Sequence, residues 1–180
     1  MAWARRKKEI LEFENINEDC FIFRTNFAGL PEANYGKRGF NLKLKDGEME
    51  LLPPEKIEQL MEDGWNIKSY LDDDDNRILF LPVEVRFDKY PPNIFIIGGS
   101  SRVMTELDEA RCGEIDTIIK NNLESMDLAI TPSFYQKDNG DWKIKAYLQA
   151  AWVTFREGKL GAKWASYETS EEPEDPDVPF

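Results

Sequence analysis

Apolar and polar residues alternate along several short segments of the chain, and turn-forming residues separate these segments. The segments are rich in aromatic and β-branched side chains, which is typical of β-strands. Glycines, the Pro91-Pro92 pair and the Asn139-Gly140 hairpin signal lie at their ends. The pattern therefore predicts strands over residues 19–27, 38–44, 65–71, 78–87, 93–97, 127–135 and 142–155.

Helical periodicity occurs in other parts of the chain. The segment "PPEKIEQLMEDG" opens with prolines that suit a first helical turn, and it ends at Gly64. The segment "EIDTIIKNNLES" repeats apolar residues at helical intervals from Ile115 to Leu123. The sequence therefore predicts one helix in each of these segments.

Short strands with a helix or two between them predict a mainly β fold with inserted helices. A closed barrel removes the edges of a sheet, and the oligonucleotide-binding (OB) barrel is one such solution. We therefore expect an OB-fold-like closed barrel, and a ferredoxin-like α+β sheet is the alternative. The expected organisation is a basic N-terminal arm (1–14), an OB-like domain (15–165) and an acidic C-terminal tail (166–180).

The composition narrows the possible functions. No run of about 18 apolar residues occurs, and the basic cluster near the N-terminus has no apolar stretch behind it, so we expect neither a membrane span nor a secretory signal. Cys20 and Cys112 stand far apart, which predicts two reduced thiols in a cytoplasmic protein. The chain has no histidine, which excludes His-based triads and most zinc sites. We therefore expect a non-enzymatic protein without a cofactor or a bound metal.

The acidic residues are segregated rather than spread. The net charge is -12, but residues 168–180 contain six acidic residues and no basic one, and Asp72–Asp75 add four more. We interpret the aspartate run as a solvated turn, because two-metal sites collect carboxylates from separate elements. Without these ten residues, 25 acidic ones remain against 23 basic ones. The body of the chain is therefore nearly neutral and can carry a basic face.

Cations and aromatic rings share one face of the predicted strands. In "WKIKAYLQAAWVTF" and "WNIKSYL", strand alternation separates an apolar side from a side with lysines and a tyrosine. The loop "YGKRGF" adds rings and cations, and the loop "GGSSR" adds an arginine beside glycines. Such surfaces suit single strands, because bases stack on rings while cations follow the phosphates. The candidate nucleic-acid-binding residues are Tyr35, Lys37, Arg38, Phe40, Lys68, Tyr70, Arg102, Lys143, Lys145 and Tyr147.

The terminal stretch "PEDPDVPF" resembles the C-terminal tip of bacterial and phage single-stranded DNA-binding proteins, in which acidic residues precede a final Pro-Phe. The body, especially "DGWNIK" and "IKAYLQAAWVTF", is similar to phage-encoded proteins of the same kind. This resemblance implies a sequence-tolerant single-stranded DNA-binding protein in the cytoplasm of a bacterial host. It also implies that the tip recruits replication, recombination or repair proteins.

The chemistry of the tip agrees with a recruiting role. A partner can bury the ring of Phe180 in an apolar pocket while a basic residue pairs with the α-carboxylate. Pro179 lowers the cost of ordering the tip, and the acidic residues before it speed the encounter with a basic rim. The candidate partner-binding residues are Asp175, Asp177, Val178, Pro179 and Phe180.

The residues leave other functions open. An acidic interaction protein or DNA mimic would have no affinity for oligonucleotides at any salt concentration. A magnesium-dependent nuclease that uses carboxylates would cleave DNA, and a chelator would abolish the cleavage.

Overall fold

A computed structural model describes residues 9–88 and 90–157. Two α-helices are inserted between strands, and each helix lies in a segment with helical periodicity. The strands are β1 (Leu11–Ile16), β2 (Phe21–Asn26), β3 (Gly39–Lys45), β4 (Lys68–Leu71), β5 (Arg77–Glu84), β6 (Asn93–Gly98), β7 (Met104–Leu107), β8 (Leu123–Gln136) and β9 (Trp142–Phe155); the helices are α1 (Pro54–Asp63) and α2 (Glu114–Asn121).

The strands pair in a ring. In this ring β1 lies against β8, β8 against β9, β9 against β5, β5 against β3 and β3 against β2. All of these pairs are antiparallel except β5 with β9, which is parallel. A single 3-10 turn, Glu18–Cys20, separates β1 from β2, so the pairing returns to the segment in which it began. When β1 and β2 are counted as one interrupted strand, this is the five-stranded Greek-key order of an OB barrel, and the predicted fold class is confirmed.

Two short additions extend the ring. β4 pairs with the first half of β5, and the hairpin of β6 and β7 pairs with the second half of β9. The first half of β9 pairs with β5, so β5 and β6 follow each other along one edge of β9. The outward sides of these strands are the surfaces on which a ligand can lie.

The core fills the inside of the ring. β3 contributes Phe40, Leu42 and Leu44, all buried, and α2 contributes Ile115, which is completely buried. The amphipathic pattern of α2 arises because its apolar positions recur at helical intervals and face the barrel. Helix α1 starts at the predicted prolines and ends at Gly64, whose φ of 101° fits a left-handed helix end. Neither helix in the described part of the chain is long and apolar enough to cross a membrane.

The barrel starts earlier than the sequence predicted. β1 overlaps the expected N-terminal arm, and its Leu11 and Phe13 are each 4% exposed. β7 was also missed, because its segment "MTEL" is too short to show a clear period. The second predicted helix ends at Asn121, and Leu123 instead begins β8.

The two cysteines are free thiols inside the fold. Burial raises the pKa of the Cys20 thiol and of the Cys112 thiol above the ordinary value. A thiol must lose its proton to act as a nucleophile, and the raised pKa disfavours that loss. Both cysteines are therefore in the environment of structural residues.

Candidate nucleic-acid interface

The β8–β9 hairpin places the predicted residues of β9 on its outer face. Ile144 and Ala146 are buried, whereas Lys143, Lys145 and Tyr147 between and beside them are only half-buried. The partners that lie opposite these three side chains, and on the same face, are Tyr135, Ser133 and Thr131 of β8. The alternation predicted from the sequence thus matches the structure of this strand.

Rings and cations are in contact on this face. The Nζ of Lys145 lies 5.4 Å from the centre of the Tyr135 ring. The guanidinium of Arg86 lies 5.6 Å from the centre of the Tyr147 ring, and its Nη1 donates to the Tyr147 hydroxyl over 3.3 Å. We call Arg86, Tyr135, Lys143, Lys145 and Tyr147 the β9 cluster. Sequence reasoning missed Tyr135, because a two-residue turn at Asn139-Gly140 would place it opposite Ile144, whereas the three-residue loop of the structure places it opposite Lys143.

A second group of rings lies on the outer face of β2, β4 and β5. The ring of Phe23 lies 5.4 Å from that of Tyr70 and 5.8 Å from that of Phe80, and the latter two are 5.9 Å apart. Phe23 is 65% exposed, so one ring of the group is open to solvent. Lys68 is exposed and lies directly opposite Phe80. We call Phe23, Tyr70 and Phe80 the ring cluster.

Phe23 faces solvent because the backbone of β2 is irregular. Its φ is 61°, and the register between β2 and β3 shifts between Ile22 and Asn26. A bulge of this kind turns a side chain from one face of a sheet to the other. Regular alternation would put Phe23 on the same inner side as Phe21, so the sequence pattern carries no signal for its exposure.

The ring cluster and the β9 cluster share one surface. On β5, Phe80 lies opposite Lys68, and Glu84 lies opposite Tyr147. These β5 positions are about 13 Å apart at 3.3 Å per residue. Lys68, Tyr70, Lys143, Lys145 and Tyr147 are therefore brought together, as the sequence predicted, on one outer face.

The loop between β2 and β3 borders this face, and buried polar side chains hold it. The amide nitrogen of Asn26 donates to the carbonyls of Ala33 and Lys37, over 2.8 and 2.9 Å. The carboxylate of Asp116 accepts from the backbone N–H of Phe27 and of Ala28, each over 2.9 Å. The loop is therefore fixed at both its start and its end.

The loop presents its predicted residues in different ways. Tyr35 is 94% exposed with a φ of 57°, and Lys37 is exposed. The guanidinium of Arg38 donates to the Phe27 carbonyl and to Sγ of Cys112, and it lies 3.5 Å from Glu109. Arg38 is thus already engaged within the protein, whereas Tyr35 and Lys37 are accessible.

A depression of about 520 Å³ connects this loop with the β9 cluster. Both of its arginines are paired with carboxylates, since Arg38 lies 3.5 Å from Glu109 and Arg86 lies 2.6 Å from Asp88. On the neighbouring face Lys145 lies 3.7 Å from Glu84. The lining residues are Lys37, Arg38, Glu84, Val85, Arg86, Phe87, Asp88 and Glu109.

Phe40 does not belong to the interface. It is 3% exposed, and its ring stacks on Phe27 at 5.4 Å and 13°. The prediction for this residue is wrong, because Phe40 faces inward on β3 and no base can reach its ring.

Arg102 lies far from the other predicted residues. It follows β6, and Gly98 at the end of β6 pairs with Phe155 at the end of β9. That end is about 33 Å along the strand from Lys145 at 3.3 Å per residue. Arg102 is exposed, but it is not part of the same face.

The loop "GGSSR" binds a carboxylate of the chain itself. The backbone N–H groups of Ser100 and Ser101 each donate to Glu157 over 2.8 Å, and the Ser101 hydroxyl donates over 3.1 Å. Burial alone would raise the pKa of Glu157, but the hydrogen bonds from Ser101 and Ser100 outweigh it and lower the pKa. The loop therefore anchors the end of the described chain. The predicted partner-binding residues Asp175, Asp177, Val178, Pro179 and Phe180 lie outside the described residues.

A comparison with models of known protein families shows to which family the chain belongs. Residues 4–177 match the family model described as "Putative phage ssDNA-binding domain". The chain belongs to this family. The resemblance to phage single-stranded DNA-binding proteins is thereby confirmed.

One solved structure is similar to this member of the phage single-stranded DNA-binding family over nearly its whole length. It is the crystal structure of gp2.5, a single-stranded DNA-binding protein encoded by bacteriophage T7. The similarity covers 97% of this chain and 98% of the other, with 8% identity and a TM-score of 0.41. Among curated proteins, none matches the sequence.

Proposed function

We propose that this phage protein binds single-stranded DNA, without sequence preference, through the outer face that carries the ring cluster and the β9 cluster. The observation that supports this most strongly is the contact of cations with rings on that face, seen at Lys145 with Tyr135 and at Arg86 with Tyr147. Bases of any sequence stack on such rings, and the neighbouring cations follow the phosphates. Binding of this kind protects the DNA strand and does not depend on its base sequence.

The ion pairs at the site do not prevent phosphate binding. Glu84 and Lys145 are 35% and 44% exposed, and Arg86 and Asp88 are more so. An exposed pair contributes only about 0 to 1 kcal/mol, so a phosphate can replace the carboxylate. The carboxylates also keep the cations in place when no strand is bound.

On this face, removal of a ring or a cation is expected to lower DNA affinity, whereas removal of a carboxylate charge is expected to raise it. Tyr147→Ala removes a stacking ring and should cost about 1 to 3 kcal/mol. Lys145→Ala should weaken binding and reduce the salt slope by about 0.7, the value for one phosphate contact on a single strand. Glu84→Gln should strengthen binding, because it frees Lys145 and removes a negative charge. The measurement is intrinsic tryptophan fluorescence, to which Trp142 contributes from the start of β9 with 40% exposure, during titration with oligo-dT at several salt concentrations.

A duplex of equal length is the control for strand preference, and thermal unfolding checks that the variants fold. Unchanged affinity and salt slope for both Tyr147→Ala and Lys145→Ala would remove this face as the site. An absence of oligonucleotide binding by the native chain at any salt would instead favour the acidic interaction protein.

We also propose that the C-terminal tip recruits replication, recombination or repair proteins of the phage or its host. The support is the resemblance of residues 173–180 to the tips of known single-stranded DNA-binding proteins, together with the ring and the α-carboxylate that Phe180 offers a partner. The tip and the outer face then have separate roles, one for proteins and the other for DNA.

Deletion of residues 168–180 is expected to strengthen oligonucleotide binding modestly at low salt. The deleted segment carries six acidic residues, which compete with phosphates because their attachment to the same chain keeps them at a high effective concentration around the fold. The gain should shrink as salt screens the competition. Binding isotherms of the two chains across a salt series measure it, and weaker binding after the deletion would make the tail part of the DNA site.

A further inference from the structure

A separate pair of stacked rings lies at the other end of β9. Phe95 of β6 and Trp152 of β9 are directly opposite in register, with ring centres 6.2 Å apart and planes at 11°. The same row continues to the neighbouring strands, where Glu106 lies opposite Phe95 and Asp127 lies opposite Trp152. The two rings are therefore flanked by a carboxylate on each side.

The next row of the sheet extends the apolar surface. Ile97 of β6 lies opposite Met104 of β7 on one side and Thr154 of β9 on the other. Met104 is 57% exposed and Ile97 is half-buried. We call Phe95, Ile97, Met104 and Trp152 the apolar patch.

The charges around the apolar patch differ from those of the DNA interface. At the β9 cluster each ring contacts a cation, whereas here the neighbouring positions hold Glu106 and Asp127. Among the described residues, no ion pair involves either carboxylate. Phosphates would be repelled, so the patch suits a segment that is both apolar and cationic.

The chain leaves the described fold beside this patch. Glu157 is held by Ser100 and Ser101, in the turn that joins β6 to β7. The residues that follow, 158–167, read "GKLGAKWASY" and contain two lysines, a leucine, a tryptophan and no acidic residue. Acidic residues begin only at Glu168. The segment thus has the apolar and cationic composition that the patch requires.

The segment is also long enough. Trp164 can extend up to about 25 Å from Glu157 at 3.6 Å per residue. The Phe95–Trp152 pair lies about 10 Å from the end of β9, since it precedes Gly98 and Phe155 by three residues at 3.3 Å each.

We propose that residues 158–167 dock on the apolar patch of the same molecule, with Leu160 and Trp164 on its rings and with Lys159 and Lys163 beside Glu106 and Asp127. The segment is then a docked connector, and the acidic tail begins beyond it. This proposal does not depend on where DNA binds.

Oxidation of methionine by dilute peroxide, followed by mass spectrometry, tests the docking. Met104 is the probe, and Met61 on α1, 48% exposed, is the matched internal control. In the full chain Met104 should oxidise more slowly than Met61. The double variant Leu160→Ser with Trp164→Ser should speed oxidation of Met104 several-fold and leave Met61 unchanged. Glu106→Gln should speed it in the same direction but less.

The remaining outcomes distinguish other occupants. A chain that ends at Tyr167 should keep Met104 protected; loss of protection there would assign the patch to the acidic tail and overturn the proposal. Protection that rises with protein concentration would assign it to a second copy. Equal oxidation of Met104 in the native chain and in the double variant, with both folded by thermal unfolding, would show that the segment does not cover the patch.

Discussion

Phe23→Ala is expected to lower the affinity for oligo-dT by about 1 to 3 kcal/mol, or roughly 5- to 150-fold. Phe23 is the most exposed ring of the ring cluster, and it contacts both Tyr70 and Phe80. Its removal takes away a stacking surface without opening a core cavity. The free energy of unfolding should therefore change little, because a mostly exposed side chain contributes little burial.

The matched control is Met104→Ala, which removes an apolar side chain of 57% exposure from β7, beside the end of β9 that is far from the β9 cluster. It should leave DNA affinity unchanged. Fluorescence titration and urea unfolding of both variants separate loss of binding from loss of folding. If Phe23→Ala binds oligo-dT as tightly as the native chain, the ring cluster is a structural feature of the surface and not a site for bases.

Phe180→Ala is expected to reduce binding of the partner protein by on the order of 2 kcal/mol, about thirtyfold, while leaving oligonucleotide binding and folding unchanged. A ring buried at the centre of a small peptide interface typically carries much of the affinity. The measurement is retrieval of phage and host replication, recombination and repair proteins by the native and altered chains.

A chain with two residues appended after Phe180 is the control for the α-carboxylate. It keeps the ring but moves the terminal charge, so a partner that reads both groups should bind it weakly. Equal retrieval of the same proteins by the native, Phe180→Ala and extended chains would mean that the resemblance at the tip is accidental. Unequal retrieval with unchanged DNA affinity would separate the two proposed roles.

The part of the interface on β9 could be predicted because that strand is regular. Alternation with a period of two separated Ile144 and Ala146 from Lys143, Lys145 and Tyr147 without any knowledge of the partner strands. The fold class followed from the same patterns, since many short strands with inserted helices favour a barrel. The contact of Arg86 with Tyr147 depends on how distant strands meet, so no local pattern could reveal it.

The failures occur where the backbone is irregular or where neighbours decide exposure. Phe23 is turned outward by a bulge, which an analysis of alternating residues cannot detect. Phe40 was grouped with the cations of its loop although the strand predicted over residues 38–44 contains it; in β3 it shares the inward side with Leu42 and Leu44. Arg102 was grouped with the others by residue type, and only the pairing of β6 with the far end of β9 separates it from them.

The ring of strands also constrains how the protein can fold during synthesis. β1 pairs with β8, and the backbone N–H of Asn15 donates to Asp127, 112 residues later in the chain. During translation, β1 therefore emerges from the ribosome long before β8, its partner strand, has been synthesised. β5 and β6 likewise stay unpaired on one edge until β9, the last strand of the ring, has emerged. Until then the nascent chain carries strand edges that other chains can pair with. Aggregation is consequently most dangerous just before β9 emerges, and a chain interrupted there cannot complete the barrel.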